Sequence, residues 1–157
     1  MEVHMTSVSS DFSGRDDDAD GVVALMVTGA IGAAVVPFPV GWPMFIAALC
    51  GGVVKIGAIY DITLDKDEAW KLVLQLFKAA GLMWLGLTVG SKFIAAILQA
   101  TGAGYAVGAA LDAAVSGALA YAVGKSSQAY FKGERDKAAL GRKFREAFEA
   151  KKNNPES

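Results

Sequence analysis

The stretch from Ile31 to Asp61, IGAAVVPFPVGWPMFIAALCGGVVKIGAIYD, constrains this chain more than any other. Two apolar runs flank a stiff turn made of Pro37, Pro39, Gly41, Trp42 and Pro43. Upstream, Val22 to Val36 predicts an uncharged helix with Gly29, Gly32 and Ala33 on a small-residue face. Its fifteen residues rise about 22 Å, short of the ~30 Å hydrocarbon core of a bilayer. Pro37 stops this helix, because the residue before a proline is pushed toward extended geometry. Pro43 suits the first turn of the next helix, expected to run to Tyr60. The result is a helical hairpin, and its apolar, aromatic tip (Pro37, Phe38, Pro39, Trp42, Pro43) is expected to meet the membrane.

Charge is spread unevenly around that hairpin. Six acids up to Asp20 face one base, Arg15, while nine bases from Lys125 onward face five acids. With 54% hydrophobic residues and mean hydropathy of +0.38, an acidic head, apolar middle and basic tail suit a membrane-associated bundle. One cysteine, Cys50, rules out a disulfide within the chain and gives no sign of an oxidising compartment. The acidic start lacks the basic and apolar pattern of a secretory signal.

Residues 1–20 read as a disordered acidic tail. Asp16, Asp18, Asp20 and Gly21 match the first half of a calcium loop, but its twelfth position is Val27, not the bidentate glutamate. The plainer reading is acids before a helix N-terminus, suited to its partial positive charge. After the hairpin, Asp65 and Glu68 stand at capping-box spacing and open a helix to Ala80, with Gly81 as its stop. Glu68, Lys71, Gln75 and Lys78 form one wet stripe opposite Trp70, Val73, Leu74 and Phe77.

Leu82 to Ala100 is apolar except for Lys92, and Tyr105 to Val123 except for Asp112. Gly86 with Gly90, and Gly104 with Gly108 and Ser116, are spaced as helix-packing seams. Lys55, Lys92 and Asp112 are the charges expected within the apolar part. A central lysine or aspartate costs ~2.5–3.5 kcal/mol to insert, against ~0.3–0.6 kcal/mol gained per strongly apolar residue. Membrane spans here are therefore marginal, and a Lys92–Asp112 pair across a hairpin would ease both costs. From Glu134 to Lys152 a basic amphipathic helix carries Leu140, Phe144 and Phe148 on one face, fit for an anionic surface or for packing on the bundle.

No catalytic constellation assembles. His4, the sole histidine, lies in the tail far from Cys50, which removes a Cys–His pair and a Ser–His–Asp triad. Gly124-Lys125-Ser126 ends like a phosphate loop, yet Leu119 replaces the required glycine and no strand precedes it. The basic excess is too small and too mixed with acids for nucleic acid.

Three stretches carry a resemblance: VVPFPVGWPMFIAAL, VVKIGAIYDITLDKDEAWKL and GAGYAVGAALDAAVSGALAYAVGKSSQAYF, together covering roughly Val22 to Gly133. They resemble the uncharacterised helical domain found with Era-like and dynamin-like bacterial GTPases, the YcjF type of inner-membrane protein. Ala100-Thr101 stands where that family often has proline, and Ala120 where it often has threonine. No GTPase domain is present. The resemblance implies a bacterial inner-membrane location on the cytoplasmic face and a separate GTPase partner, and it supplies no catalytic residues.

The expectation is an all-α fold: Gly/Ala-rich helical hairpins forming a membrane-associated bundle with a C-terminal amphipathic helix. Its parts are an acidic tail (1–20), a helical domain (21–133), a basic helix (134–152) and a short tail (153–157). It is expected to act without enzymatic activity, cofactor or metal, as an anchor or scaffold in contact with membrane lipid and a protein partner such as a GTPase. The alternatives are a membrane-inserting pore or effector and a soluble homo-oligomeric bundle.

Overall fold

The computed structural model describes residues 2–36, 41–90 and 112–154, with side chains from residue 13 onward. Among these residues the chain is all helical: α1 (Glu2–Ala34), α2 (Gly41–Ile59), α3 (Lys66–Ala80), α4 (Leu82–Thr88), α5 (Ala113–Phe131) and α6 (Lys137–Asn153).

Helix α1 begins well before Val22, which corrects the expected disordered tail. The core repeat explains the extension. Ala19, Val23, Met26, Val27, Ala30 and Ala33 are buried along one side of α1, and their spacing of three and four residues keeps one face inward. Asp16 lies on the same track. The acids Asp16 to Asp20 therefore sit inside a helix rather than before one, and DDDADG forms no loop.

α1 and α2 form the expected antiparallel hairpin. Gly29 faces Ala48, and a β-carbon on Gly52 would run into the Met26 side chain. α5 lies along α1 in the opposite direction: Gly117 meets Val27 and Ile31, and Gly124 meets Val23. Among the described residues, α5 thus packs on α1 through Gly117 and Gly124. Two turns apart, these glycines let the backbones approach where a larger residue would meet stiff, β-branched Val23. Ser116 is buried beside that seam; Gly104 and Gly108 lie outside the described residues.

α3 is the helix the sequence predicts. Asp65 accepts from the Glu68 amide at 2.8 Å while the Glu68 carboxylate accepts from the Asp65 amide at 3.2 Å. The wet stripe is exposed; Val73 and Phe77 are buried. Gly81, at φ +103°, takes a backbone conformation that side chains resist, and the chain turns 83° into α4. α4 ends at Thr88, where Gly90 with φ +124° stops it. The expected long helix from Leu82 to Ala100 is therefore short. Gly90 serves a turn, and Gly86 is half-buried.

Asp112 also departs from expectation. It caps α5, its carboxylate accepting from the Val115 amide at 2.8 Å, and it is exposed rather than set within a helix. A short polar side chain at a helix start satisfies an otherwise orphaned donor. Lys92, its expected partner, lies outside the described residues.

α6 lays Leu140, Phe144 and Phe148 into the bundle. Phe144 meets Phe77 and Trp84 edge-on, at 5.7 and 6.3 Å, and Phe148 meets Trp84 at 5.4 Å. The apolar stripe of the basic helix is thus consumed by its own fold.

Candidate functional site

Two helix ends build a polar cluster. α2 finishes with crossed hydrogen bonds, Asp61 to the Ala58 carbonyl and Ile62 to the Gly57 carbonyl; Asp61 adopts φ +63°. α5 finishes the same way, Gly133 to Tyr130 and Glu134 to Ala129. This motif closes a helix with one left-handed residue and satisfies its last carbonyls. It leaves the residue before that turn, Tyr60 in one helix and Lys132 in the other, pointing toward α1.

Asp16 receives both. The Tyr60 hydroxyl donates to Asp16 Oδ1 at 2.5 Å, Lys132 Nζ reaches Oδ2 at 2.9 Å, and Gln128 Nε2 stands 3.5 Å from Oδ1. One turn further, Asp20 pairs with Lys125 at 2.9 Å. Arg15 pairs with Asp61, also at 2.9 Å, placing a cation beside the negative end of α2. A cleft of about 610 Å³ opens here, bounded by Asp16, Asp20, Lys125, Lys132, Glu134 and Lys143.

The Tyr60 hydrogen bond, aided by Lys132, holds the Asp16 carboxyl below its ordinary range despite partial burial. Burial first, then Asp16, pushes the Tyr60 phenol well above its own. Asp16 therefore stabilises the fold above the usual carboxylate range and loses that effect as pH falls through its folded value. Tyr60 stabilises below the usual phenol range and loses its effect as pH rises. Asp16→Asn is expected to cost about 1–2 kcal/mol at neutral pH, reduced by exposure from what a buried ionic hydrogen bond would give. The loss should shrink between neutral pH and a pH below the lowered folded value of the Asp16 carboxyl, where both proteins carry a neutral group. Urea unfolding at the two pH values measures it.

The other end and flank of the hairpin have the opposite character. No charged residue lies between Asp20 and Lys55. Large apolar side chains point outward from α1, the turn after it and α2: Leu25 is 65% exposed, Val35 76% and Met44 43%. On α4, Met83 and Leu87 are exposed by 82% and 85%. α2 is the one described helix long and apolar enough to cross a membrane, with half of its most apolar window buried in the bundle.

Of the expected tip, Pro37, Phe38 and Pro39 lie outside the described residues. Pro43 is exposed, whereas Trp42 is turned into the core against Phe45, their rings 5.8 Å apart. Lys55 is exposed where the uncharged run of α2 ends. Cys50 is buried in α2, and Gly124-Lys125-Ser126 is interior helix. Among the described residues no group of three or more His, Cys, Asp or Glu side chains could hold a metal ion.

Sequence reasoning missed the cluster around Asp16. Its signal was the track Asp16, Ala19, Asp20, Val23, which continues the apolar repeat upstream. Beside it runs Lys125, Gln128, Lys132 at the same spacing near the end of α5.

A charge-free flank on glycine-packed helices, locked at one end by ion pairs, defines a small all-α domain. The chain belongs to the family described as a domain of unknown function, DUF697, whose model matches residues 5–153. No curated protein matches it. No solved structure matches it either.

Proposed function

We propose that this domain is a non-enzymatic scaffold that rests on the cytoplasmic face of the bacterial inner membrane and presents its polar end to a protein partner. One observation carries the reading: between Asp20 and Lys55 the hairpin carries no charge, and Leu25, Val35 and Met44 are exposed there. Large apolar side chains left in water beside an uncharged run suit contact with lipid or a partner.

The mode of contact follows from Asp112. It lies five residues beyond Gly117, on the side of Ile31 and the hairpin tip. Entering the bilayer tip-first would carry this exposed carboxylate inward, at a cost of ~2.5–3.5 kcal/mol at the centre. Lying on the flank of α1 and α2 leaves Asp112 on α5, behind the contact. The domain then lies in the interface as amphipathic helices do, with their apolar face sunk about 5–10 Å. The polar cleft around Asp16 remains in water for a partner. The resemblance to GTPase-associated domains supplies the candidate class, a separate GTPase.

Flotation with liposomes tests this. The wild-type protein is expected to rise with the vesicles and to stay bound in high salt. Leu25→Asp with Val35→Asp, both outward-facing, is expected to reduce binding about tenfold or more while leaving helicity unchanged. A wild-type protein that stays at the bottom of the gradient overturns the proposal.

A further inference from the structure

On the side of α1 away from α2 runs a second groove, of about 490 Å³, between α1, α5 and the end of α6. Its wall on α1 is uncharged above Asp20: Val23, Ala24, Val27 and Ile31, with Thr28, whose hydroxyl is turned back to the Ala24 carbonyl. From Ala24 to Ala34 that helix presents no charge, over about 15 Å of rise. The opposite wall is polar and cationic. Tyr121 and Lys125 come from α5, and Lys151 arrives from the last turn of α6, its ammonium 5.6 Å from the centre of the Tyr121 ring. Asp20 lies at one end, paired to Lys125, so among the described residues the lining holds two ammonium groups and one carboxylate. Its size is that of a small-molecule site, and its lining divides about evenly between an apolar side and a polar one.

We propose that this groove holds one anionic phospholipid. The acyl chain lies along Val27 and Ile31 toward Val35, and the phosphate meets Lys151 and Lys125 beside the Tyr121 hydroxyl. Charge complementarity selects this occupant. A net positive rim along an uncharged trough suits a molecule that is negative at one end and apolar at the other, whereas a second copy of this chain would bring its own lysines against these. The inference rests on the membrane reading for its source of lipid and adds the class of lipid recognised.

The experiment compares binding to vesicles of phosphatidylcholine alone with binding to vesicles that also contain phosphatidylglycerol. Wild type is expected to favour the second by about tenfold. Lys151→Glu is expected to lose most of that preference and Lys151→Arg to keep it. Lys71→Glu, the same charge change on the exposed stripe of α3, is expected to keep it as well. A bimane label at Ile31→Cys should be quenched more by chain-labelled phosphatidylglycerol than by chain-labelled phosphatidylcholine, and equally by both once Lys151→Glu is added. Excess inorganic phosphate should leave that quenching intact, because it lacks the chain.

Equal binding of wild type to both vesicle types overturns the lipid site while leaving membrane attachment standing; no binding to either overturns both. Equal losses in Lys151→Glu and Lys71→Glu would show a bulk charge effect and sink the proposal. Unchanged thermal unfolding of Lys151→Glu confirms that any loss is not unfolding.

Discussion

Replacing Phe144 with alanine is expected to lower the unfolding free energy by about 4 kcal/mol, near the upper part of the range for a buried aromatic residue. Phe144 is completely buried, and it ties three elements together. From α6 it meets Phe77 of α3 and Trp84 of α4, both edge-on. Edge-on contacts add about 0.5–1.5 kcal/mol beyond area burial. The site cannot collapse to fill the gap, because its neighbours stand on separate helices held by their own packing. A domain of this size has about 5–15 kcal/mol in all, so the variant should sit close to its unfolding threshold. Urea unfolding followed by tryptophan fluorescence reads the loss. A change below about 1 kcal/mol would mean that α6 does not bury its stripe as described.

That stripe was legible in the sequence, since Leu140, Phe144 and Phe148 are spaced four residues apart between charged neighbours. What the spacing left open was the surface it meets, lipid or protein, because both reward the same pattern. The same ambiguity runs through the chain. The capping box at Asp65 and the stop at Gly81 were readable because they act locally, within one turn. The partners of Asp16 were not, because Tyr60 and Lys132 reach it from sequence distances of 44 and 116 residues. Asp112 was misread for a related reason. In a run of alanines and glycines no periodicity marks where a helix begins, so an aspartate can lie in mid-helix or at its cap. The small-residue seam shows the limit most clearly. The expected row through Gly104 and Gly108 lies outside the described residues, and the contacts of Gly117 and Gly124 with α1, seven residues apart, follow from a helix crossing that spacing along one chain does not reveal.

Gly141→Ala is expected to destabilise the fold by about 2–3 kcal/mol, and Gly51→Ala to stabilise it by up to about 1 kcal/mol. In an isolated helix both changes help, because alanine loses less backbone freedom than glycine on ordering. Surroundings separate them. Around Gly51, on the exposed side of α2, a new β-carbon meets nothing within 4 Å. At Gly141 it would stand 2.1 Å from the Ala79 carbonyl oxygen and 2.9 Å from its carbon. Those atoms belong to the backbone of α3, so no rotamer change relieves the clash. Either α6 lifts away or α3 shifts, and each movement disturbs the Phe144 contacts and the hydrogen bond from Arg145 Nη1 to the Ala80 carbonyl, 2.9 Å long. Loosening the crossing also strips that carbonyl of a charged donor near the end of α3, where no helical amide replaces it. The two substitutions should therefore move the urea midpoint in opposite directions. If both raise it, α3 and α6 do not approach as closely as their glycine contact requires.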